Sequence, residues 1–425
     1  MIKSFFPLIQ SEWRLLLFGF AMAFGSSLGQ TYFIGLFSGE IRQDLGLSHG
    51  AFGGIYSAAT LTSAVLLLWT GSLIDRVDLR RHTYTVTFGL AVACGLMSAS
   101  NGIAMLFLAV LALRHLGQGL MSMIGATTMV RYLDHHRGKA NAISGIGYSV
   151  SEAVLPTLVI LSLSLMTWRS SWILWGIVLL LCLPLLTSVL LRGHGQRHRD
   201  YLVDLANPAD QGLRGARKQW TRSEVIRDAS FYLFLPALVA MPLLFTGFMF
   251  HQVHLVDAKG WDLSAWGSLY IAYALVSTIC KLAAGLLVDR FGAMRLVPLM
   301  CLPFGLGLVA LAMSNSFVAA GIFMCLMGVS GGVYSTLSSP FFAEMYGTLH
   351  LGSIKSVTTS AMVFASAIAP VAMGGLIDDG VSMEAMALGG AAYIVLASGS
   401  AVAGVRRHSI TGAMEAGRTA GKSQT

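Results

Sequence analysis

Three side chains that carry full charge stand inside long apolar runs: Arg114, Glu152 and Lys281. A charge at the centre of a bilayer costs about 3 kcal/mol even on the forgiving insertion scale, so each is a candidate for function by default. Desolvation favours the neutral form of a carboxyl and a nearby arginine favours the charged form, which makes a buried acid switchable. Glu152 is therefore read as a proton carrier and Arg114 as its partner. At 1.5 Å rise per residue the two reach similar depths on their helices and can meet near the midplane. The alternative is a permanent ion pair that serves only the fold. Lys281 suits an anionic ligand, its alternative being to snorkel toward the nearer interface.

Around these charges the polar residues Gln30, Tyr32, Tyr148, His251 and Tyr273 are candidates for lining a substrate cavity, with Gln252, His254 and Tyr270 close by in sequence. Aromatic residues with a polar tip also serve as interfacial anchors, which is the competing role for each tyrosine. His251 and His254 share a helix face and titrate near neutrality when unperturbed. Without a third ligand they make a poor metal site. The five cysteines show no paired spacing, so neither a disulfide framework nor a zinc site is expected. There is no Gly-rich phosphate loop and no nucleophile elbow, so no cofactor and no enzymatic activity are expected.

The elements that must position these groups follow from composition. Hydrophobic residues make up 55% of the 425 positions and charged residues only 11%, against about a quarter charged in a soluble domain. A spanning helix needs about 20 mostly apolar residues. Twelve such runs are expected at 12–35, 50–73, 83–101, 104–130, 140–166, 172–192, 230–252, 264–287, 296–314, 317–343, 354–377 and 384–405. Residues 1–10 carry a single Lys3 and no small-residue cleavage site, so the first run is expected to be retained rather than removed as a signal peptide. Gly145, Gly147 and Pro156 suggest that the fifth run packs closely and flexes.

The net charge of +8 would raise nucleic acid as a partner of a soluble protein. Here its distribution explains it. Of 28 Lys and Arg, Arg42, Arg169 and Lys259 fall on one side of the spans, Arg114 and Lys281 fall inside them, and the rest fall on the other side. The positive-inside rule makes that richer side cytoplasmic, with both termini there, and removes the need for nucleic acid. The longest polar stretch, 193–229, divides the runs six and six as a basic linker between a first bundle (1–192) and a second (230–405), and 406–425 is expected as a tail. A helix of this linker lying on anionic lipid competes with a plain solvated loop.

A repeat marks the same turn in each half. After the second run come Gly71, Asp75 and Arg76, followed by Asp78, Arg80 and Arg81; after the eighth come Gly285, Asp289 and Arg290, followed by Gly292 and Arg295. Glycine permits close helix approach, and an acid at the membrane edge can meet a helix N-terminus, whose partial positive charge favours it. The duplication resembles the loop signature of the major facilitator superfamily, and the resemblance covers the whole chain. It implies an all-α membrane protein of twelve transmembrane helices in two pseudo-symmetric six-helix bundles, parallel repeats in which the halves rock about a central site. It also implies that Gly71, Asp75, Arg76, Gly285, Asp289 and Arg290 form a gating latch on the cytoplasmic face. Asp78 replaces the glycine usual in the first copy. The run from Arg114 to Gly119 is similar to a second signature of the family, in which a buried arginine takes part in proton coupling.

Residues 137–145 and Lys281, four before the latch glycine, resemble the monocarboxylate-porter branch with its bacterial members and oxalate–formate exchangers. The resemblance implies that Lys281 binds a substrate carboxylate. Ser277 stands where relatives often carry an acid, and Gln30 is the nearest counterpart of a helix-one lysine, which leaves Glu152 as the remaining intramembrane acid. The expected function is a proton-coupled carrier of a small organic anion in a bacterial inner membrane, surrounded by lipid and acting as a monomer. The alternatives are a proton-coupled exporter of drugs or amphipathic compounds, suited by 21 methionines, and a non-transporting membrane receptor.

Overall fold

The computed structural model describes residues 6–71, 73–133, 137–199, 220–347 and 351–422. Among these, ten helices are long and apolar enough to cross a membrane. Two spans complete the expected twelve. The first is interrupted, running Phe6–Gly25, a 3-10 turn at Ser26–Gly29, then Thr31–Gly35 and Ser38–Leu45. The third, Leu79–Ser98, opens with Arg80, Arg81 and His82, which lower its apolar average.

The other spans are His49–Thr70, Ile103–Leu113 continuing through Ser122–Tyr132, Arg137–Leu165, Trp168–Leu190, Ala229–Phe250, Leu263–Phe291, Leu302–Met313, Phe317–Tyr346, Leu351–Asp378 and Met383–Lys422. The last helix continues past residue 405 to Lys422, so the described part of the stretch expected as a tail is helical. Much of the expected linker, 200–219, lies outside the described residues.

Helix starts are fixed locally. Ser48, Asp78, Thr167, Asp228, Asp262 and Ser316 each accept a backbone N–H of the turn they precede, satisfying donors that a helix leaves orphaned. Asp78, the residue that departs from the first loop signature, is thus the N-cap of the third span. Its counterpart Gly292 keeps a positive φ of 80°, open to glycine without strain.

Packing follows one pattern twice. In the first half span one lies against five, two against four, and three against six; in the second, seven against eleven, eight against ten, and nine against twelve. The halves meet through span two on eleven and span five on eight, contacts that exchange when the halves exchange. Glycines set the distances. A side chain at Gly147 would strike the Phe20 carbonyl of span one, and one at Gly328 or Gly332 would strike the Tyr273 or Ser277 carbonyl of span eight. Gly145 faces open space, so of the two glycines expected to bring span five close only Gly147 does so.

Candidate functional site

The fourth span widens into a π-helical stretch at Arg114–Met121, opposite the 3-10 break of the first span. The two irregularities meet at one contact. Gly29 and Gly117 press backbone against backbone, with room for no side chain on either, and π-segments inside helices are frequent at functional sites.

This approach sets the fate of Arg114. Its side chain is buried, donating from Nε to Thr60 Oγ1 at 3.1 Å and from a terminal nitrogen to the Gly29 carbonyl at 3.0 Å. Its guanidinium also lies over the Tyr56 ring, 5.0 Å from the centroid. Among the described residues no ion pair joins it to Glu152. The expected pair is therefore corrected: Arg114 braces the broken first span, because the kink frees a carbonyl that the guanidinium satisfies.

Between the bundles lies a cavity of about 470 Å³, within the range of small-molecule sites. Of the sequence candidates, Gln30, Tyr32, Arg114, Tyr148, Glu152, Tyr273 and Lys281 line it. Tyr273, Ser277 and Lys281 recur every four residues, which places them on one helix face. Gly328 and Gly332 seat that helix against the tenth span.

Lys281 lines the cavity, and its Nζ donates to Ser149 Oγ of the first bundle at 3.2 Å instead of snorkelling to the interface. Glu152 is the carboxylate of the described lining residues and Lys281 the charge that acts on it most. The sequence did not mark Ser149, for which a hydroxyl three residues before a buried acid was the available signal, and it marked Gln118 only within the run from Arg114 to Gly119, not as a cavity residue.

The end of the cavity away from the linker is sealed by cross-bundle contacts. Gln252 donates to the Tyr32 carbonyl at 2.9 Å and accepts from Tyr270 at 2.7 Å and Trp266 at 3.0 Å. Span two meets span eleven backbone to backbone where Gly53 faces Pro370 and Gly374 faces His49. Toward the linker the wall residues Ser335 and Thr359 are exposed, and the cavity opens on that side.

His251 is not a cavity residue, contrary to expectation. It is buried in the seal, donating from Nε2 to the Pro370 carbonyl at 2.9 Å, because the helix ends at Phe250 and turns the ring outward. The His49 ring lies 5.7 Å from that of His251 and 4.4 Å from that of His254. Burial pushes His251 down to about 4, and burial with the nearby Arg42 charge lowers His254.

At the linker end Asp289 and Arg290 are exposed and Gly285 has no neighbour that a side chain would meet. Gly71 lies against Met123. The side chains of Asp75 and Arg76 lie outside the described residues. Glu344 of the tenth span accepts the Ala293 N–H at 2.7 Å, capping the short helix after the second loop signature. Among the described residues no group of His, Cys, Asp and Glu is arranged to hold a metal ion.

The family model described as Major Facilitator Superfamily matches residues 19–370 and again 245–410. Among solved structures the chain is similar to the nucleoside transporter NupG, at 14% identity and a TM-score of 0.69, over 93% of this chain and 98% of that one. It is also similar to a bacterial homologue of the human lysosomal transporter Spinster in an inward-facing, unoccupied conformation, at 13% identity and a TM-score of 0.65, over 92% and 96%. At these identities the likeness is one of fold. No curated protein matches the sequence.

Proposed function

The chain belongs to the major facilitator superfamily, and on that footing we propose that this secondary transporter is a proton-coupled carrier of a small organic anion. One observation carries the reading: Lys281 of the second bundle and Glu152 of the first line the same cavity, with Arg114 already committed to Thr60 and Gly29. An ionised Glu152 competes with a substrate carboxylate for Lys281. A protonated one leaves the amine free, so proton and anion favour each other's binding, and such coupling is reciprocal. The open side is the cytoplasmic face of a bacterial inner membrane, a placement that rests on the excess of Lys and Arg there. The carrier works as a monomer by rocking its bundles, and the loop residues Gly71, Asp75, Arg76, Gly285, Asp289 and Arg290 latch the cytoplasmic end when it closes.

Uptake of a labelled monocarboxylate into vesicles tests this. A hydrogen bond to a charged group is worth about 1.5–3 kcal/mol, so Lys281→Ala is expected to lower uptake roughly ten- to hundred-fold. Glu152→Gln keeps anion exchange and loses its dependence on a proton gradient. Full anion transport by Lys281→Ala overturns the reading. Export of amphipathic compounds draws support from the apolar wall of Met241, Pro242, Phe245 and Met362, and a drug-resistance profile that collapses on deletion of the protein favours it instead.

A further inference from the structure

Helices one and six carry two further cavities, away from the central one. The backbone of Glu12 leaves helical values at φ −120° and ψ 19°, kinking the first span. Beside the kink lies a pocket of about 490 Å³ lined by Trp13, Arg14, Arg192, His194 and Arg197. Glu12 pairs with Arg197 at 2.6 Å, while Arg14 and Arg192 are exposed with no acid of the pocket left to pair them. Burial and the Arg197 charge push His194 down to about 4, so it adds no charge, and the pocket holds an excess of positive charge. Trp13, 47% exposed, has the amphipathic ring favoured at the membrane interface.

One turn further along the same two helices lies an apolar groove of about 280 Å³. Leu17, Phe20 and Phe24 form one wall and Cys182 and Leu186 the other, with Leu28 at its far end. From Leu17 to Leu28 a helix rises about 16 Å, close to the roughly 15 Å hydrocarbon depth of one leaflet. A basic pocket at interface level thus stands one turn from an apolar groove about one leaflet deep.

We propose that this composite site binds one anionic phospholipid of the linker-side leaflet, its phosphate held by Arg14 and Arg192 and an acyl chain lying in the groove between spans one and six. Basic pockets between helices on that side suit phosphate-bearing headgroups, and the groove adds a chain that free phosphate lacks. The site is separate from the central cavity and stands whether or not the cargo is an anion.

Native mass spectrometry of the purified full chain, titrated with phosphatidylglycerol and with phosphatidylcholine of the same chains, tests it. At about five-fold per arginine near a membrane surface, phosphatidylglycerol is expected to bind roughly twenty-fold more tightly, and Arg14→Gln with Arg192→Gln to abolish the difference. Neither exchange breaks the Glu12–Arg197 pair, and an unchanged melting temperature in lipid-free detergent confirms the fold. Leu17→Trp fills the groove and weakens both lipids alike. Equal affinity of the unaltered protein for the two lipids overturns the proposal, as does a preference that survives the double arginine variant. Displacement of the lipid by millimolar inorganic phosphate also overturns it, since the groove would then contribute nothing.

Discussion

The carboxylate of Asp378, at the end of the eleventh span, receives the backbone N–H of His49 at 3.0 Å and that of Gly50 at 2.8 Å. An acid of one bundle thereby closes the N-terminus of a helix in the other. Such a contact at an exposed helix end is worth about 0.3–1 kcal/mol, so Asp378→Asn is expected to shift the population toward the state open at this face by roughly two- to five-fold. Spin-label distances across the ends of spans two and eleven check this. An unchanged distribution removes Asp378 from the gate.

Acidification of the same face acts in the same direction. His49, His251 and His254 protonate less readily than an ordinary histidine, His49 and His251 down to about 4, so the sealed end binds fewer protons than an opened one. Its stability is complete above about 6.5, the ordinary histidine value, and is lost as pH falls from there toward 4. One pKa unit is about 1.4 kcal/mol, making the whole effect of His251 on the order of 3 kcal/mol. Arg42 adds positive charge here, while Asp257 and Asp378 oppose it. The distances that report on Asp378→Asn are expected to lengthen between pH 7 and pH 5, and His251→Gln to reduce the response, His49 and His254 carrying the rest. A response of full size in that variant assigns the titration elsewhere.

The spans were legible because each is a run of apolar residues, and the loop duplication because its glycines and charges are local. The partner of Arg114 was not. Its acceptor is the carbonyl of Gly29, and a backbone oxygen leaves no mark on the sequence until the chain breaks and brings it near. His49 escaped notice beside His251 and His254 for a related reason, as some two hundred residues separate them and only the contact of spans two and eleven joins them. Lys281 and Glu152 were readable individually, since a charge in an apolar run stands out whatever its neighbours are. That they share a cavity follows from the packing of spans five and eight.

If Arg114 braces the break in span one and does not pair with Glu152, the two should act independently. In a double-mutant cycle on thermal stability, Arg114→Gln and Glu152→Gln are expected to add to within about 0.5 kcal/mol. Arg114→Gln alone should be the costly exchange, since it leaves the buried Gly29 carbonyl without its donor, a loss of about 1–3 kcal/mol. Lys281→Ala with Glu152→Gln should couple, because those groups act on each other across the cavity. A large Arg114–Glu152 coupling restores the ion pair that the sequence suggested.

Glycines separate what holds the present state from what the moving protein needs. A side chain at Gly332 meets the backbone of Ser277 and Lys281, which cannot step aside, so Gly332→Ala is expected to cost about 1–3 kcal/mol and lower the melting temperature. Gly285 has open space around it in this linker-open state and lies inside a helix, so Gly285→Ala should raise the melting temperature slightly, alanine favouring the helix by about 0.5–1 kcal/mol. On the proposed latch role, Gly285 makes its contact when the linker end closes and helices come together, where small residues permit close approach. Gly285→Leu is therefore expected to bind ligand from the linker side with unaltered affinity while exchange across the membrane falls, the protein being held open toward the linker. Equilibrium binding in detergent and exchange in vesicles read the two properties separately. Unimpaired exchange by Gly285→Leu shows that the second loop signature closes without the close contact its glycine implies.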